Sequence, residues 1–355
     1  MDDRATDLHA RSIVIIGHSD IIASDVDWRR ESGAKRVLEQ RHYPTLKRGG
    51  ATVFCDHIGG DAPYGYLPAT NLKTTYVQRF LRALDHTYNE IAESDHFIIA
   101  RSTDDIRRAK AESKIAIVIC LEGGAPLENE ISYLRNFHRL GLRCIGLTHD
   151  IRNELADGIM ERSAAGLTHF GVDVVRECNR LGIVIDVSHL SDRGTEEVLE
   201  ISAEPITASH SNARALCDIP RNLPDHLIKG IAGKGGVIGF HAKNGFISRK
   251  AEPSFDDMMA HIMHIVELGG PNCIAIGPDL MENWEPEVFT SVYNRSSKVC
   301  GIPTGTITWT YPPGMQSNGD LANITEWLLR RNTSEEDVVK MLGGNLMRLF
   351  DAVWK

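Results

Sequence analysis

Six short apolar runs in this chain of 355 residues end in side chains that can bind a cation or carry a proton. "IIGHSDI" supplies His18 and Asp20, "VICLEGG" supplies Glu122, "GLTHD" His149, "DVSHLS" His189, "ASHSN" His210 and "AIGPDL" Asp279. Two further runs close differently, one with Asp56 and His57 and the other with His241, and the sequence leaves both histidines open. A single histidine at a strand end is ordinarily a surface or hydrogen-bonded structural residue; the weight lies in the ordered set. Imidazole and carboxylate are borderline ligands suited to zinc and similar divalent ions, and several converging from separate strands can hold two of them. His-x-Asp puts both donors on the same side of a locally extended segment, because side chains alternate with a period of two. A carboxylate such as Glu122 can bridge two ions with its two oxygens, which an imidazole cannot do. A centre of this kind predicts hydrolysis, since two ions bring the pKa of a water towards neutrality and polarise a carbonyl. Asp279 would take the proton and pass it to the leaving nitrogen, and His149 would steady the oxyanion.

Behind His210 follows "SNARALCDIPRNLPD", where Arg214 or Arg221 could meet a substrate carboxylate with its planar fork. The ordinary role of either is a surface ion pair worth little. The residues by themselves do not choose between the two. Asp186 is expected to point away from the neighbours of His189 and to make a supporting hydrogen bond, and Cys120 to be packing. The histidines at 9, 42, 86, 96, 138, 169, 226, 261 and 264 fall in helical or loop patterns and read as structural.

The elements that must position these residues repeat along the chain. Runs of β-type residues occur at "SIVII" 12–16, "GATVF" 50–54, "KIAIVIC" 114–120, "RCIGLT" 143–148, "GIVIDV" 182–187, "PITAS" 205–209, "GGVIGF" 235–240 and "NCIAIG" 272–277. Segments such as "FGVDVVRECNRLG" and "FDDMMAHIMHIVELGG" lie between them with apolar residues three and four apart, which predicts helices. Eight strand–helix units match the count and size of an α/β (β/α)8 TIM-type barrel, in which chemistry gathers at the C-terminal ends of the strands. Near-continuous apolar strands fit a parallel sheet covered by helices. A doubly wound sheet would call for a glycine-rich phosphate loop after the first strand, where this chain has "GHSD". The reading is one domain over 1–355, with a barrel core at about 12–290 and additional C-terminal helices at about 318–352, where Ser334 is an N-cap followed by acids. The segment 21–75, with Trp28, Tyr43, Tyr64 and Tyr66, is expected to shape the pocket mouth.

Composition excludes several classes. With 42% apolar and 25% charged residues the chain is an ordinary globular protein, and its net charge of −9 with scattered Lys and Arg gives no footprint for nucleic acid or an anionic membrane. No stretch approaches eighteen unbroken apolar residues, and "MDDRATDLHA" lacks the pattern of a signal peptide, so a cytoplasmic location is expected. Seven cysteines without a CxxC pair read as buried free thiols of a reducing compartment.

The motifs "GHSD", "LEGG", "GLTHD", "GLTHFGVDVVRECNRLGIVIDVSHLSD", "PITASHSNARALCDIPRNLPDHLIKGIAGKGGVIGF" and "MLGGNLMRLF" resemble the membrane (renal) dipeptidase family of zinc peptidases, within the amidohydrolase-like barrels. The resemblance implies two zinc ions per subunit, with His18 and Asp20 on one, His189 and His210 on the other, and Glu122 bridging. It further implies that His149 contacts substrate and transition state, that Arg221 of "RNLPD" binds the substrate carboxylate, and that Asp279 is the acid/base. Family members cleave dipeptides, often tolerating a D-residue at the C-terminal position, and many are homodimers. Two stretches depart from the family pattern: "IIGHSDII" has Ile16 and Ser19 where an acid and an amide are usual, and "IGPDLMENWEP" lacks the usual aromatic–Asp–Gly after Asp279. The leading expectation is therefore a dinuclear zinc dipeptidase. A related hydrolase acting on another amide or C–N bond of a small catabolite is the alternative, and a non-catalytic binding protein comes last, because every expected ligand is present.

Overall fold

A computed structural model describes residues 3–61, 75–283 and 310–355. Among the described residues nine strands run in parallel: β1 Ile15–Ser19, β2 Val53–Gly60, β3 Phe97–Ile99, β4 Ile115–Glu122, β5 Leu142–Gly146, β6 Val184–Asp186, β7 Thr207–Ala208, β8 Val237–Phe240 and β9 Ile274–Ile276. β1 pairs with both β2 and β9, and β2 with β4, so eight strands close into a barrel. These eight are the eight runs read from the sequence. β3 was not foreseen: it lies beside the first half of β4 up to Ile117, and β5 takes over that edge from Ile119. Three apolar residues are too short a run to carry a period.

Side chains alternate across the wall. Ile115, Ile117, Ile119 and Leu121 of β4 join the apolar layer shared with the outer helices, whereas Ala116, Val118 and Cys120 join Ile15, Val53, Cys144, Val184, Val237 and Ala275 in a second cluster inside the barrel. Glu122 continues that inward series. The helices between strands begin where side chains cap them, as Thr168, Ser191 and Ser254 do for His169–Leu181, Asp192–Ile201 and Phe255–Gly269.

After residue 317, helix Ala322–Arg330 is followed by a helical stretch from Glu335, capped by Ser334, that ends as Asn345–Val353. That last helix lies across the strand starts, since Asn345 donates to Pro271 O and Ile274 O, Arg348 to Gly235 O and Trp354 to Arg143 O. Gly343 lets it come this close, because a Cβ there would sit 2.3 Å from Ile13 O. Among the described residues no helix is long and apolar enough to cross a membrane. Tyr64, Tyr66 and the whole of 284–309, Cys300 included, lie outside them.

Candidate active site

The upper strand ends are irregular where the polar residues sit. β7 is two residues long, and the chain then cuts into the mouth, with Ser211 N–H donating to Gly239 O at 2.6 Å. This inward path needs bare backbone opposite: a Cβ on Gly239 or Gly277 would lie 1.9 Å from Ser209 O. His189 and Asp279 both take left-handed backbone, with φ of 66° and 54°. Non-glycine residues held there are strained, and such strain collects at functional sites.

Every site residue foreseen converges in this mouth. Glu122 Oε1 lies 3.2 Å from His189 Nε2, 3.4 Å from His210 Nε2 and 3.7 Å from His18 Nε2. His18 Nε2 is also 3.7 Å from Asp20 Oδ1 and 3.8 Å from Asp279 Oδ1. His149, at the rim, is 3.9 Å from Glu122 Oε2 and stacks on His189. Arg221 is 6% exposed and reaches His189 Nε2 and Ser211 Oγ, whereas Arg214 pairs with Asp192 away from the mouth. The structure thus brings one arginine in and leaves the other out.

The hydrogen bonds fix which nitrogens face inward. Ser209 Oγ donates to Asp186 Oδ2 and so accepts from His18 Nδ1 at 3.2 Å and His210 Nδ1 at 2.8 Å. His189 Nδ1 donates to Asp150 Oδ1 at 2.8 Å. All three imidazoles therefore turn Nε2 lone pairs towards Glu122, the arrangement in which a second hydrogen bond orients a metal-binding histidine. Asp186 does not point away, as the sequence suggested; its carboxylate faces inward because strand alternation puts it on the same side as Glu122, and it anchors the hub hydroxyl.

Charge is poorly balanced here. Burial, then the neighbouring Glu122 and Asp279, raise the Asp20 carboxyl well above its usual range. Burial lowers His18 to about 4 and, with His18 and Arg221 nearby, holds His210 well below its ordinary value. Burial would raise Glu122, but His149, His189 and His210 outweigh it and keep it ionised. Neutral His18 and His210 and an ionised Glu122 are in the protonation state that cation binding requires, and a bound cation would displace the proton that burial and crowding hold on Asp20. His18 Nε2, Asp20 Oδ1 and Asp279 Oδ1 are buried without a hydrogen-bond partner, and with Glu122, His189 and His210 around the same space the oxygens and nitrogens gathered there fit divalent cations.

Two histidines left open divide. His241 Nε2 donates to Asp279 Oδ2 at 3.0 Å while its Nδ1 accepts from Lys243 N–H, so it joins the site as a neutral ring. His57 lies below, stacked on His18. Sequence reasoning missed Ser209, Asp150 and Asp61. Asp61 accepts from the N–H groups of Ala125 and His149 and from Asn153 Nδ2, tying the Glu122 and His149 loops together. Asp150 sits beside His149 in "GLTHD" and was visible as an acid; Ser209 and Asp61 carry no signal of their own.

Residues 2–285 match the family model described as membrane dipeptidase, peptidase family M19. Human dipeptidase 3 is 30% identical over 287 residues, 79% of this chain and 53% of its own length, so the chain spans about half of that relative. An amidohydrolase of known structure from Pseudomonas aeruginosa superposes with a TM-score of 0.83 at 28% identity, covering 99% of both chains. A Rhodobacter sphaeroides metallopeptidase, solved with a phosphinate mimic of the dipeptide L-Ala-D-Ala, shares the fold with a TM-score of 0.79 at 21% identity, covering 97% of this chain and 100% of its own.

Proposed function

Since the chain belongs to the membrane dipeptidase family of peptidases, we propose that it is a dinuclear zinc-dependent dipeptidase that accepts a D-residue at the C-terminal position. The observation that carries this is the convergence of three Nε2 lone pairs and three carboxylates, with buried oxygens and nitrogen left unpartnered. His18 and Asp20 would hold one ion, His189 and His210 the other, and Glu122 would bridge them. Two bound ions would supply Lewis acidity and a water acidic enough to ionise near pH 7.

The chain's own groups do the rest. Arg221 is a buried guanidinium with donors turned into the mouth, suited to a substrate carboxylate. Burial would raise Asp279, but the hydrogen bond from His241 outweighs it and holds the carboxyl below its usual range. Asp279 therefore starts as a base: Oδ2 is held by His241 and Oδ1 is open to take the water's proton and return it to the leaving nitrogen. His149 at the rim offers a ring N–H to the developing oxyanion. We read the protein as a cytoplasmic homodimer, which sedimentation and fractionation check.

The test is hydrolysis of a panel of dipeptides carrying both C-terminal enantiomers, with protein of measured metal content and an Asp279→Asn control. Metal-dependent turnover that disappears in the control supports the proposal. Two bound ions without dipeptide turnover would redirect it to another C–N bond of a small catabolite, a reading favoured by the altered sequence after Asp279.

A further inference from the structure

Beneath the mouth the barrel interior carries a second set of donors. His57 on β2 is in register with Cys120 on β4, and Cys120 with Cys144 on β5, so the three occupy one row across adjacent strands. Cys120 shares the inward face with Glu122 two residues on. One donor atom from each of the three lies within 4.8 Å of the other two, and all three residues are buried. Cys55, two residues before His57 and on the same face, adds a sulfur beside Cys120.

Thiols alone would pass as small apolar filler. The imidazole does not: both nitrogens of His57 are buried without a hydrogen-bond partner, and the Asp186 carboxylate stands 3.7 Å away, beyond hydrogen-bond reach. Native cores rarely leave such groups unsatisfied without a reason. The hydrolytic centre above has no use for sulfur, since its converging donors are oxygen and nitrogen only.

We propose that His57, Cys120 and Cys144 form a separate site for a soft divalent cation of the zinc and cadmium class. Two thiolates and one imidazole are a donor set such ions prefer. Each cysteine gives up its proton to solvent as the ion binds, the His57 nitrogen that faces the ion sheds any proton it carries beside Asp186 and donates a lone pair, and Cys55 is the neighbour able to complete a tetrahedron. The site owes nothing to the dipeptidase reading, and its signature is separable from that of the centre above.

The experiment uses full-length protein produced in cobalt-supplemented minimal medium, so that the ion is present while the barrel closes. Wild-type protein is expected to show a near-ultraviolet thiolate-to-cobalt charge-transfer band, which oxygen and nitrogen ligands cannot produce. Cys120→Ala and Cys144→Ala should each lose the band and about one cobalt ion per chain, with dipeptide turnover retained. A wild-type spectrum without the band, or a band that survives both substitutions, overturns the proposal. If the variants do not fold, X-ray absorption on cadmium-loaded wild type decides: sulfur around the metal supports the site, and oxygen and nitrogen alone refute it.

Discussion

At the lower end of the barrel, helix Asn345–Val353 presses Leu346, Leu349 and Phe350 against the inward residues of the strands, and Phe350 stacks on Trp354 at 4.2 Å. At the upper end, Asp20, Glu122 and Asp279 crowd a few ångströms from three imidazoles, two of the residues sit in left-handed backbone, and several polar atoms have no partner. Apolar burial below stabilises the fold without needing exact charge states. The mouth is a cost that the rest of the barrel offsets, as expected where geometry is held for chemistry. The difference predicts that substitutions at the two ends separate activity from stability.

The largest effect belongs to the mouth. Asp279→Asn is expected to lower turnover about 10²–10⁴-fold while moving the melting temperature far less than a lower-end substitution, because the amide gives up the charge pairing with His241 but relieves the repulsion with Glu122 and Asp20. Parallel assays and thermal melts read both; a loss of stability equal to the loss at the lower end would erase the contrast. Phe350→Ala is the mirror experiment, expected to cost about 3–5 kcal/mol of stability. Denaturant melts measure that cost, and kcat per folded molecule should stay at the wild-type value.

Ser209→Ala sharpens the comparison within the mouth. It removes the hydroxyl that orients both His18 and His210, so affinity for the activating cation should fall about 10–100-fold, read by chelator competition. A turnover defect not restored by excess metal would place the role of Ser209 elsewhere.

The smallest effect is at His9, remote from the mouth. Its Nε2 donates to Gly49 O and its Nδ1 accepts from Thr325 Oγ1, both at 2.8 Å, which pins a neutral ring between helix Asp3–Arg11 and helix Ala322–Arg330. Burial lowers its pKa from 6.5. A histidine depressed in the folded state contributes stability above its unfolded pKa and loses it as pH falls through the folded value. His9→Gln should therefore flatten the decline of melting temperature below about pH 6.5, and an unchanged slope would show that His9 is not a source of it.

Much of this was legible in the chain before folding. Strands show as β-type runs because a covered parallel sheet needs apolar residues on both faces, and the donors show because they close those runs. β3 escaped because three residues hold no pattern, and Asp186 was misdirected because alternation was not counted inward from the barrel wall. Arg214 and Arg221 stand seven residues apart with the same chemistry, and only packing tells the buried one from the surface one.

What the sequence by itself determined is the local part: which runs become strands, which polar residues end them, and therefore which donors the mouth contains. Only the tertiary structure decided that Ser209 sets the tautomers of two rings, that His241 reaches Asp279 while His57 sinks beneath His18, and that Asp61 ties two loops. The physical reason is distance along the chain: His18 and Ser209 are 191 residues apart and meet only because the barrel closes. Alternation and hydrophobicity act over neighbouring residues, but a hydrogen bond across a closed barrel depends on every strand between its partners.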